Sequence, residues 1–207
     1  MVPNQRTFIV LGALIVGMSL ASSVLLLLEP GPMAPFAGVT LQSIDRGPTS
    51  SNDRLFDTAS PQHDWQAIVI HDSGQPEGNA HTLDRLHDQQ GRGGLGYHFV
   101  LNNGRGADDG LIELGFRWQH QFAGAYVEGE DASWFNRNGI GICLVGDADN
   151  QRMTRAQLRE LVWLVRQLQQ AHNIPRDAIH IDVGQAAGDE AFPFAWFRQQ
   201  LLDIPTP

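Results

Sequence analysis

Two histidines, each closing a short apolar run, are the residues whose type and setting could do chemistry. His71 ends the run Ala67-Ile-Val-Ile70 and is followed by Asp72 and Ser73; His180 ends Ala178-Ile179. A short apolar run closed by polar residues reads as a buried strand that delivers side chains to a site at its end. A sheet can bring two such ends together, and neutral imidazoles are common zinc ligands. Taken singly, each can equally be a core histidine satisfied by the backbone. Cys143 is the single cysteine, which excludes a disulfide framework and a multi-cysteine zinc site. None of the 14 basic residues is lysine, so a catalytic lysine is excluded, and the net charge of −9 argues against a surface built to neutralise phosphates.

The elements that must position these residues follow from pattern. After the first strand, a helix is expected over roughly 79–89, capped at Asn79, with Leu83 and Leu86 on one face and His81 and His87 at its surface or rim. Gly96 to Leu101 reads as a second strand, turned by Asn102-Asn103-Gly104, and Leu111 to Leu114 as another. Gly139 to Gly146 is apolar on both faces and reads as a buried central strand. Thr154-Arg-Ala-Gln157 is a capping-box pattern, followed by Leu158, Leu161, Val162, Val165 and Leu168 at helical spacing. Pro193 starts a last helix carrying Trp196, Phe197 and Leu201. Strands and helices alternate irregularly around one sheet, so the class is α/β with mixed strand directions.

Ahead of this domain, Thr7 to Leu28 holds no charged side chain and is flanked by Arg6 and Glu29. It is long enough to cross a ~30 Å hydrocarbon layer as a helix, and the flanking charges put the remainder outside. A cleaved signal is the rival reading, with small-x-small sites at Ser19-Leu20-Ala21 and Ala21-Ser22-Ser23. The expected organisation is an anchor over 1–28, a flexible linker over 29–62 with one short strand at Val39-Thr40-Leu41, and a globular domain over 63–207 on the extracytoplasmic side of the cell membrane.

Several segments together carry a resemblance. They are Ile68-Val-Ile-His71, Gly94-Leu-Gly-Tyr97-His98-Phe99-Val100, Asn103-Gly104, Arg117-Trp118, Gly124-Ala125, Asn136 through Gly146, the Thr154 helix and His180. In this order and spacing the chain resembles the zinc-dependent N-acetylmuramoyl-L-alanine amidases related to the peptidoglycan recognition proteins. The resemblance implies a central mixed sheet flanked by helices, with a groove over a zinc ion. It implies His71 and His180 as zinc ligands and Tyr97 as the catalytic tyrosine. Counting back from Phe194 and Trp196 puts Asp189 at the third-ligand position, with Asp182 and Glu190 as neighbouring carboxylates. Ala187 stands where the family has Thr or Lys, and Glu190-Ala191 where it has Pro-Gly. Cys143 stands where some members carry a glutamate. Trp118, Tyr126 and Asn136 are the expected substrate contacts, Tyr126 replacing a family histidine; Asp72 likewise replaces one and is expected at the rim. Along an extended strand Tyr97 and His98 point to opposite faces, so His98 is expected to be structural. The implied activity is hydrolysis of the amide between N-acetylmuramic acid and L-alanine in peptidoglycan or muropeptides, by a zinc-activated water. A binding module that has lost the metal is the other reading.

Overall fold

The computed structural model describes residues 58–184, 188 and 191–202, all within the unit Ala37–Pro207. The expected anchor, the strand at Val39-Thr40-Leu41 and Asp189 therefore lie outside the described residues. Among the described residues no helix is long and apolar enough to cross a membrane.

The elements run β1 (Ala67–Asp72), α1 (Ala80–Gln89), β2 (Phe99–Leu101), β3 (Ile112–Leu114), α2 (Phe116–Gln119), α3 (Ala132–Asn138), β4 (Gly139–Leu144), α4 (Arg155–His172), a 3₁₀ turn (Arg176–Ala178), β5 (Ile179–Asp182) and α5 (Phe194–Gln200). The five strands form one sheet in the order β3-β2-β4-β1-β5. β2, β4, β1 and β5 run parallel, and β3 is antiparallel to β2, so the sheet is mixed.

Local chemistry explains the helix boundaries. Asn79 accepts the Thr82 N–H and its own N–H donates to the Thr82 hydroxyl, closing a capping box at α1. Thr154 and Gln157 do the same for α4. Asn173 ends α4 in the left-handed conformation that asparagine tolerates. The short helices α2 and α3, of 4 and 7 residues, have no counterpart in the periodicity, because neither spans two full turns of apolar repeat.

The sheet divides the interior in two. On one face Ile68, Ile70, Phe99, Leu101, Ile140, Ile142 and Leu144 join the apolar stripe of α4 (Leu161, Val162, Leu164, Val165, Leu168) and Phe197 of α5. On the other, Val69, Val100 and Cys143 join Leu83 of α1, Leu95, Tyr97 and Tyr126 in a smaller cluster. His71 emerges on this second side, and strand alternation is the cause: it sits two residues beyond Val69.

Two glycines of β4 shape that side. A Cβ at Gly141 would stand 2.4 Å from the Tyr126 ring, and one at Gly139 would stand 2.7 Å from the Tyr126 hydroxyl. The bare backbone lets the phenol lie on the strand. Gly141→Ala is therefore expected to cost about 2 kcal/mol through overpacking, read from a urea titration. An unchanged midpoint would mean that Tyr126 does not rest there.

Candidate active site

Cys143, His71 and Asp182 are register partners across β4, β1 and β5, and therefore rise from one face of the sheet. His180 pairs with Val69, two residues earlier on the same face. The edge strand β5 alternates cleanly: Ile179 and Ile181 pack against the main core, while His180 and Asp182 are exposed. Asp182 Oδ2 lies 3.9 Å from His71 Nδ1. This carboxylate, expected only as a neighbour of Asp189, stands at the site itself. Its signal was present, since residues two apart on a strand share a face.

Around His71 the rings of Tyr97 and Tyr126 stand 5.9 and 5.8 Å away, and the two phenols stack on each other at 5.6 Å. Burial lowers the His71 pKa, opposed by Asp182 and Asp72. The ring is thus held toward the neutral form, in which one nitrogen keeps its lone pair. Burial raises the Tyr97 pKa well above the ordinary value, so its phenol stays protonated and can donate but not serve as a base. Cys143 is fully buried and burial pushes its thiol up; it behaves as a small apolar residue rather than a nucleophile.

The supporting contacts correct several expectations. Trp118 is fully buried in the main core, edge-on to His98 and stacked on Trp65, so it has no surface to offer a substrate. Its neighbour Arg117 ties the loops before and after it, donating to the carbonyls of Leu95, Ala123 and Arg92. Tyr126 is buried, and its hydroxyl lies within hydrogen-bond reach of the Phe135 and Gly139 carbonyls; it forms the wall under the site. Asn136 spends its carboxamide on the Tyr126 and Val127 N–H groups and the Val127 carbonyl, fixing that wall. Both are therefore supports for the site and not free groups on its surface. His87, expected at the surface, is buried; its Nδ1 accepts the Gly96 N–H and its ring lies 5.6 Å from Tyr97. Asp72 points the other way from His71 and accepts the N–H groups of Gly74 and Ala148, which pins two loops together.

His98 is structural. Its Nδ1 accepts the Gly141 N–H at 2.9 Å and its Nε2 meets the Phe122 carbonyl at 3.0 Å, which fixes the proton on Nε2. Tyr97 and His98 precede β2 rather than lying in it, yet they still diverge. Tyr97 joins the His71 side, and His98 packs on Trp65 at 4.7 Å.

The donors fit a zinc ion as far as they go. His71 Nε2 is buried without a hydrogen-bond partner, and imidazole with carboxylate is a donor set zinc accepts. Among the described residues, however, no group of three His, Cys, Asp or Glu side chains is gathered closely enough to hold a metal.

The endolysin of Enterobacteria phage T3 is 30% identical over 109 residues, 49% of this chain and 64% of its own length. The endolysin of Escherichia phage T7 is 31% identical over 103 residues, 46% of this chain and 60% of its own. The chain thus spans a little over three-fifths of one relative and three-fifths of the other. Among solved structures, N-acetylmuramoyl-L-alanine amidase LysC from Clostridium intestinale superposes with a TM-score of 0.49 at 23% identity, covering 72% of this chain and 87% of that one. Residues 61–191, more than half of the chain, match the family described as N-acetylmuramoyl-L-alanine amidase, and the chain belongs to that family.

Proposed function

We propose that this protein hydrolyses the amide joining the lactyl group of N-acetylmuramic acid to L-alanine, in peptidoglycan or in muropeptides released from it. The observation that carries the reading is the family match over residues 61–191, which spans His71, Tyr97 and His180. Their grouping on one side of the sheet supports it.

In this reading His71, His180 and Asp189 would hold zinc. When bound, zinc supplies a polarised water and a Lewis acid for the amide carbonyl. The chain's own groups do the rest. Tyr97 offers its retained proton to the carbonyl oxygen as that oxygen gains charge. Tyr126 and Asn136 keep the Tyr97 ring in place from below. His71, held neutral, contributes a lone pair and not a charge. We also place the domain outside the cytoplasm, tethered by residues 1–28, on the strength of the uncharged run Thr7 to Leu28.

The third-ligand segment favours a second reading, a muropeptide-binding domain without turnover: Ala187 stands where the family has Thr or Lys, and Glu190-Ala191 where it has Pro-Gly. Metal analysis of the purified protein, paired with a stem-peptide release assay, separates the two. The amidase predicts close to one zinc per chain and release that stops when a chelator is added. Muropeptide binding with no zinc and no release would leave only the binder.

A further inference from the structure

We propose that Trp134 is a stacking platform for a pyranose ring of the glycan, set beside Phe135, the ring that meets His180. The proposal rests on the peptidoglycan reading above.

Trp134 is 46% exposed, one of few large apolar side chains among the described residues left open to water. It is linked to the site through rings. The indole meets Phe135 edge-on at 5.1 Å, and Phe135 meets His180 edge-on at 4.8 Å. The backbone beneath is held, because Asn138 Nδ2 donates to the Trp134 carbonyl at 2.9 Å. The indole is therefore joined through one ring, Phe135, to a proposed ligand of the reaction centre.

Other open aromatics do not compete for this role. Trp196 belongs to α5, which packs on the opposite face of the sheet. Phe122 is stacked on His120 at 5.4 Å, with no ring contact to the site. A pyranose presents a face of C–H groups, and an indole presents a flat, electron-rich surface that accepts such a face while leaving the sugar hydroxyls in water. A stem peptide offers no ring of this kind before its polar side chains.

Calorimetric titration of the full-length protein tests the proposal, with chelator present to stop turnover. The ligands are a disaccharide-tetrapeptide muropeptide and the same tetrapeptide without sugar. Trp134→Ala is expected to weaken muropeptide binding about fivefold, to leave peptide binding unchanged, and to be largely restored in Trp134→Phe. Trp134→Gln, which keeps a polar surface residue, should behave as the alanine variant does and guards against loss of fold. Equal weakening of both ligands, or none of either, would overturn the assignment while leaving the amidase reading in place. Wild-type protein that binds neither ligand in chelator and releases no stem peptide without it would overturn both.

Discussion

A Tyr97→Phe variant is expected to release stem peptide about 100-fold more slowly than wild type, with its unfolding free energy within ~1 kcal/mol of it. The asymmetry follows from where the two halves of the side chain are spent. The ring is buried and stacked on Tyr126, and phenylalanine keeps that packing. The hydroxyl is the only part removed. Because burial raises its pKa well above the ordinary value, it is a proton donor throughout the working range. Its loss should therefore appear in kcat and leave the acid limb of the pH profile where it was. If the tyrosine acted as a base, the variant would shift the profile instead. If the protein only binds muropeptide, Tyr97→Phe would change affinity slightly and there would be no turnover to lose.

The second large effect is on stability. Metal-free protein should lose roughly 3 kcal/mol as pH falls from 6.5 to 4, through His98. This side chain is fully buried, and burial pushes its pKa down to about 4, against 6.5 in the unfolded chain. The sign follows from proton uptake: below 6.5 the unfolded chain takes up a proton that the folded chain refuses until about 4. The contribution is thus complete above pH 6.5 and is lost as pH falls through that window. The structural reason is that Nδ1 must keep a lone pair for the Gly141 N–H. His87, pushed down to about 4 by burial and by Arg92, acts in the same direction. Urea midpoints measured from pH 7.5 to 4 in chelator would check this. A flat profile would show that His98 is not the neutral pin between Gly141 and Phe122.

Much of the arrangement was legible along the chain. The run Ala67 to Ile70 marked β1, Gly139 to Gly146 marked the buried centre, Asn79 marked the cap of α1, and the Thr154–Gln157 capping box marked the start of α4. These signals are local: period, capping chemistry and unbroken apolarity depend on neighbours in sequence. The pairing of His71 with the β5 histidine strand was anticipated from their similar settings, and the sheet makes those strands adjacent.

Burial of individual aromatic and polar side chains was not legible. Trp118, Tyr126 and Asn136 all lie in segments that match the family, but a match marks a position that matters without saying whether it touches ligand or holds the wall behind it. The sequence by itself determined the strands in outline, the helices α1, α4 and α5, and the absence of any lysine or second thiol for catalysis. Only the tertiary structure decided that Asp182 stands beside His71, that Tyr126 and Asn136 are spent on backbone groups, that His87 is buried, and that the open aromatic near His180 is Trp134. The physical reason is that alternation fixes a side chain's direction along its own strand, whereas its neighbours come from register between strands and from loops that no periodicity describes.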